Sequence, residues 1–209
     1  PPTDVPPPTE IPATEPPPPT DVPEPTAVPT LEPLPPEPQV MQIESFDGTL
    51  LDAVYYPASV NPAPVVVLFH QYNYGQEQWK AIAPWLQNRG QVAPQAALSG
   101  NPMASPVLQG AEPWFDSSWF PMIPENLNVA VVTVTLRGCT GGCMGSSASD
   151  DDWIKDGVAT INHAAQLPGV DPAQAFPLGN SIGADITVDA CLIISQMAGE
   201  MCKGAMPFS

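Results

Sequence analysis

The spacing of apolar residues changes along the chain, and each change predicts an element. Val40 to Phe46 alternates apolar and polar positions, Asp47-Gly48 makes a turn, and Thr49 to Tyr56 follows until Pro57 stops it. This is the signature of a β-hairpin with an Asp-Gly turn. Pro64 to Phe69 is an unbroken, mostly β-branched run, as in a strand buried on both faces of a parallel sheet. Trp79, Ile82, Ala83 and Leu86 recur at helical spacing, with Gly90 as the expected stop and Pro84 expected to kink the helix or delay its start. Val129 to Leu136 is a second buried strand, followed by the Gly-rich turn Arg137 to Gly145. Ser146 to Asp152 reads as a helix start, since Ser and Asp suit a cap and acidic residues oppose the helix dipole. Ile154, Val158, Ile161 and Ala165 form that helix's buried face. Val170-Asp171-Pro172 reads as a turn and Ala175 to Leu178 as a short strand, with Pro177 awkward for a central one. Ser181 to Met197 is a helix apolar on most sides, and Cys202 to Phe208 begins another strand. Alternation of this kind predicts an α/β fold, a mostly parallel sheet with helices on both faces.

Two stretches break the pattern. Residues 1–38 hold more than half of the chain's 31 prolines, with Thr, Glu, Asp and Val, and have no aromatic or basic residue. Such a segment cannot bury enough apolar surface to offset its chain entropy, so it is expected to be a disordered, extended linker or stalk. Residues 39–209 then form the folded domain. Within it, residues 91–126 show no period and carry Trp114, Phe115, Trp119 and Phe120; they read as an insertion whose aromatics pack it onto the body or cover a pocket.

Charge narrows the choice of partners. The net charge is −17, and five basic residues are scattered over 209. Phosphate recognition needs clustered Lys and Arg, so neither nucleic acid nor an anionic membrane surface is an expected partner. No apolar run is long enough to span a membrane. The four cysteines fall as two local pairs, Cys139/Cys143 and Cys191/Cys202. Three connectivities are open; loop closure favours the local two in an oxidising compartment. Zinc is disfavoured because no His lies near any Cys, and calcium at Asp150, Asp151 and Asp152 because consecutive helical carboxylates diverge, so no metal or cofactor is expected. Position 1 is Pro, so the start is expected to be a processed or trimmed end. A Pro/Thr/Glu stalk commonly tethers secreted or surface-anchored bacterial proteins, which makes an extracytoplasmic location and a cell-surface tether the expectation.

The candidate chemistry lies at Gly179-Asn180-Ser181-Ile182-Gly183. A Gly-x-Ser-x-Gly pentapeptide arises by chance about one time in fifteen in a chain this long, with Gly and Ser each near about 7 % of residues. Here it falls where a predicted strand meets a predicted helix, the setting a nucleophile elbow requires. The two glycines leave room for a turn so sharp that Ser181 is strained, and Ser181 Oγ projects at the carboxyl end of the sheet. The N–H groups at the start of the next helix favour an oxyanion.

The order of hairpin, Val-Val-Val-Leu-Phe-His loop, helix, strand ending in Arg137-Gly138, helix and elbow resembles the α/β-hydrolase fold. Phe46-Asp47-Gly48-Thr49-Leu50 followed by Tyr55-Tyr56-Pro57 is similar to the opening hairpin of its secreted dienelactone-hydrolase-like and esterase-like branch. The resemblance covers about residues 40–209. It implies a Ser–His–acid triad with Ser181 as nucleophile. It also implies oxyanion donors at the backbone N–H of Ile182 and of Tyr72 or Gln71. The family usually has His-Gly where this chain has His70-Gln71. His70 is expected to be structural or to line the site, and His163 to be an ordinary helix residue.

In that family the acid and the catalytic His follow the nucleophile. Only 28 residues follow Ser181, and none is His. Asp185 and Asp189 fit neither the usual acid position nor a metal site. The expectation is therefore a hydrolase fold incomplete at its C-terminus, ending near the sixth strand, with little or no turnover by this chain and an aggregation-prone sheet edge. The full-length protein is read as a serine hydrolase acting on a small-molecule ester or related acyl substrate. The alternative is a non-catalytic, hydrolase-like binding module on a stalk.

Overall fold

The computed structural model describes residues 32–80, 82–89, 126–198 and 201–208. Strands β1 (Gln39–Glu44) and β2 (Leu50–Tyr56) form the expected antiparallel hairpin, with Gly48 at φ 85° in the turn. Strand β3 spans Ala63–Phe69 and β4 Ala130–Val134, pairing in parallel from Val65↔Ala130 to Phe69↔Val134. Among the described residues six strands, with β5 (Val170–Asn180) and β6 (Met206–Phe208), lie in the order β1-β2-β4-β3-β5-β6; the β1–β2 and β2–β4 pairs are antiparallel and the other three pairs are parallel.

The continuous apolar runs behave as a doubly covered sheet requires. Val65, Val67 and Phe69 face one core with Val132 and Val134. Val66 and Leu68 face a second core with Tyr56, Trp79, Ala83 and Val131. The first is covered by helices α2 (Asp150–Ala164) and α3 (Ile182–Ala198), the second by a 3-10 turn (Gln76–Trp79) and helix α1 (Ile82–Gln87). Gly157 lets α2 and α3 close together, since a Cβ there would sit 2.5 Å from Ile186 Cγ2.

Local chemistry explains the boundaries. Ser149 caps α2 in a reciprocal box with Asp152, so the helix starts at Asp150 rather than within the Ser146 turn. Pro84 delays α1, and the predicted single helix splits into the 3-10 turn and a short α-helix. The stop is not Gly90, which lies outside the described residues: the helix ends at Gln87, where Asn88 takes φ 56°. The predicted turn at Val170-Asp171-Pro172 is instead the start of β5. Val170 already pairs with Ala63, and an irregularity between Val170 and Ala175 absorbs the extra residues. Pro177 is tolerated because it shares the phase of Ala175 and Ser181, whose N–H groups point toward the last strand, and it falls in the gap between the Ala175↔Cys202 bridge and the Leu178↔Met206 pair. The strand expected over Cys202 to Phe208 is accordingly reduced to that bridge plus β6.

All four cysteines are paired, Cys139–Cys143 and Cys191–Cys202, the two local connectivities. Residues 32–38, assigned by composition to the linker, touch the body: Asn61 Nδ2 donates to Glu32 O at 3.1 Å and Gln87 Nε2 to Pro36 O at 3.1 Å. The insertion expected over 91–126, with its aromatic residues Trp114, Phe115, Trp119 and Phe120, falls on residues 91–125 that lie outside the described residues.

Candidate active site

Strands β3 and β5 leave the sheet side by side, because their register pairs Phe69 with Gly179. The chain turns from β3 through α1 to one side of the sheet and from β5 through α3 to the other, so the crevice between their carboxyl ends is a switch point where α/β folds place ligands. Ser181 stands at that point, exposed, between the last residue of β5 and the first of α3. Its φ is 55°, the left-handed region that a residue with a Cβ rarely adopts. The glycines around it have no alternative: a Cβ on Gly179 would meet Gly183 C at 2.3 Å, and one on Gly183 would meet Phe69 O at 2.4 Å and His70 O at 2.8 Å. The Ser181 N–H is tied to Phe208 O at 3.1 Å, and its carbonyl accepts from the Ala184 N–H at 2.8 Å.

The loop after β3 faces this turn. His70 is fully buried and both ring nitrogens are engaged. Nε2 accepts from the Leu136 N–H at 3.0 Å, so Nδ1 carries the proton and donates to Gln71 O at 2.9 Å. Burial holds its pKa below the ordinary value of 6.5. His70 is thus a neutral clamp between β3 and the end of β4. The Gln71 N–H donates to Gln78 Oε1 at 2.7 Å, so this donor is already consumed. Of the two donors expected from this loop, Gln71 is therefore removed as a backbone donor and Tyr72 remains. Tyr72 is held from behind: its carbonyl accepts from the Cys143 N–H at 2.8 Å, and its ring meets Trp153 edge-on at 6.3 Å. On the other side of the crevice, Ile182 opens α3, whose first N–H groups lack intrahelical partners.

No family model matches the chain, and no curated protein matches it. Solved structures do. The esterase of the archaeon Pyrobaculum calidifontis superposes with a TM-score of 0.54 at 15% identity, over 83% of this chain and 45% of the esterase. The α/β hydrolase GrgF from Penicillium sp. sh18 gives 0.50 at 14% identity, over 74% of this chain and 41% of that one. Esterase Est22 gives 0.50 at 16% identity, over 81% and 43%. The chain has the α/β-hydrolase fold. It spans less than half the length of these three structures.

Within this α/β-hydrolase fold, sequence reasoning did not find the ionic cluster beneath the site. Asp156 of α2 is fully buried. It accepts from Arg137 Nε at 3.0 Å, from the Arg137 N–H at 3.1 Å and from Ser45 Oγ at 2.7 Å. Arg137 also reaches Asp47 in the hairpin turn. These bonds hold the Asp47 carboxyl well below the usual carboxylate range and keep Arg137 charged. The cluster joins the hairpin, the end of β4 and α2. Nothing in the apolar pattern marked it: Asp156 stands about 200° round the helix from the predicted stripe of Ile154, Val158, Ile161 and Ala165, and the buried face extends to it through Trp153 and Thr160. Asp185 and Asp189 line, with Asp150 and Trp153, a cavity of about 300 Å³ between α2 and α3. His163 sits in the last turn of α2, ten residues from Trp153 and so about 15 Å along the helix. No group of three or more His, Cys, Asp or Glu among the described residues could hold a metal ion.

Proposed function

We propose that this chain carries the nucleophile and the oxyanion hole of a serine hydrolase that cleaves a carboxylic ester or a related acyl bond. The observation that carries the reading is Ser181 at φ 55° between β5 and α3, with Gly179 and Gly183 packed too closely for any side chain. A fold holds such strain, about 1–3 kcal/mol, where it positions a group for use. The resemblance to esterase structures supports the fold beneath the reading.

The chemistry follows from the geometry. Ser181 Oγ adds to the acyl carbon, and its proton passes to a general base. The carbonyl oxygen becomes an oxyanion between the N–H groups of Ile182 and Tyr72. Collapse expels the alcohol with that proton; water then adds to the acyl-enzyme and releases the acid. Neither described histidine is placed to be the base: His70 is spent on Leu136 and Gln71, and His163 lies near the far end of α2. This placement is what favours a second reading, a non-catalytic hydrolase-like module on its Pro/Thr stalk. The two disulfides and the acidic, proline-rich N-terminal segment support an extracytoplasmic, surface-tethered setting for either.

The test is turnover of a short-chain 4-nitrophenyl ester by the protein expressed from its complete natural gene. Hydrolysis that Ser181→Ala abolishes is the expected result. Wild-type protein no faster than Ser181→Ala would overturn the enzymatic reading and favour the module.

A further inference from the structure

The two halves of the proposed oxyanion hole belong to different strands: Tyr72 follows β3 and Ile182 follows β5. A hole of this kind works only if its donors hold their separation while charge develops between them. A side-chain bond spans the crevice between them. Asn180 Nδ2, in the residue before Ser181, donates to Gln71 Oε1, in the residue before Tyr72, at 3.2 Å.

Gln71 is otherwise fixed through its backbone, independently of this bond. Its N–H donates to Gln78 Oε1 at 2.7 Å, and its carbonyl accepts from His70 Nδ1 at 2.9 Å and from the Tyr74 N–H at 3.1 Å. Asn180 is fixed by its place in β5, where it pairs with Phe208. Both ends of the bridge are thus anchored in the frame, and only the two carboxamides cross the gap. Both side chains are half-buried and belong to neither hydrophobic core. The bond therefore adds little to holding the sheet together, while it joins the two residues adjacent to the proposed donor and nucleophile.

We infer that Gln71 and Asn180 are positioning residues that act as one unit, setting the spacing between the Tyr72 loop and the nucleophile turn. The inference rests on the reading of Ser181 as nucleophile, and it names the residues that tune that site. It also gives a physical role to glutamine at a position where the chain needs no backbone donor, because Gln78 has already taken that N–H.

The experiment is a double-mutant cycle on the rate of phosphonylation by a fluorophosphonate probe, with protein from the complete natural gene. Gln71→Ala, Asn180→Ala and the double variant are compared with wild type, with Ser181→Ala as the blank. Each single substitution is expected to slow the maximal labelling rate about tenfold, with the probe concentration for half-maximal rate unchanged. The double variant is expected to be slowed about tenfold as well, not a hundredfold, because both changes break one bond. Gln71→Met, which keeps the bulk and loses the acceptor, should match Gln71→Ala, with thermal midpoints close to wild type. Additive losses, wild-type rates in the single variants, or a wild-type rate in Gln71→Met would overturn the inference and leave the nucleophile reading intact. Absence of Ser181-dependent labelling in wild type would overturn that reading, and the inference with it.

Discussion

Replacing Gly183 with alanine isolates the packing on which the turn at Ser181 depends. The added Cβ would lie 2.4 Å from Phe69 O and 2.8 Å from both His70 O and Phe69 C. That is about 0.9 Å short of a close C···O contact of about 3.3 Å. Every atom it meets is backbone, and Phe69 and His70 are fully buried, so no flexible side chain can swing aside. Overpacking against backbone costs about 3 kcal/mol, and the better helix propensity of alanine returns about 1 kcal/mol, leaving a net loss of about 2 kcal/mol. For a domain of this size that lowers the thermal midpoint by about 4–8 °C. Gly204→Ala is the control, because nothing lies within 4 Å of its Cβ position; it should be neutral or stabilising by about 0.5 kcal/mol. Calorimetry of the two variants beside wild type decides the matter. Gly183→Ala with the stability of Gly204→Ala would refute the argument that close approach of α3 to β3 demands this glycine.

Three further outcomes follow from the frame around the site. Arg137→Ala leaves the fully buried Asp156 carboxylate without its partner and should cost about 3–5 kcal/mol by urea denaturation; a loss under about 1 kcal/mol would mean that Ser45 and backbone alone satisfy it. His70 has its folded pKa depressed below 6.5, so the unfolded chain binds the proton first as pH falls. Stability should be complete above about pH 6.5 and decline below it by up to about 1.4 kcal/mol per unit, a slope that His70→Asn should flatten and that is read from denaturation midpoints between roughly pH 5 and 7.5. Reduction should matter differently at the two disulfides. Loss of Cys191–Cys202, with its separation of 11 residues, should cost about 3 kcal/mol, whereas loss of Cys139–Cys143 should cost about 2 kcal/mol and also slow labelling of Ser181, because Cys143 backs the Tyr72 carbonyl; equal labelling in Cys139→Ala/Cys143→Ala and wild type would contradict that coupling.

Much of this architecture was legible in the sequence because its causes are local. Val65 to Phe69 and Val129 to Leu136 are apolar without alternation, which only a doubly covered strand rewards. Ser149 and Asp152 cap their own helix, and Gly179 and Gly183 flank the residue they make room for. What stayed hidden depends on partners far along the chain. Asp171-Pro172 looks like a turn until Ala63 supplies a strand beside Val170. Gly90 looks like the helix stop, yet Asn88 takes the left-handed conformation first. The loss of Gln71 as a backbone donor follows from a side chain seven residues later, and the Arg137–Asp156 pair joins residues on two elements that packing brings together. The motif marks the turn at Ser181; the bonds around that turn come from residues elsewhere in the fold.

Whether Ser181 is the nucleophile is decided by mass spectrometry of the phosphonylated protein. After reaction of the protein from the complete natural gene with a fluorophosphonate, one adduct is expected, on the peptide containing Ser181. No adduct while a control esterase labels fully, or an adduct on another residue with Ser181 unmodified, would contradict it.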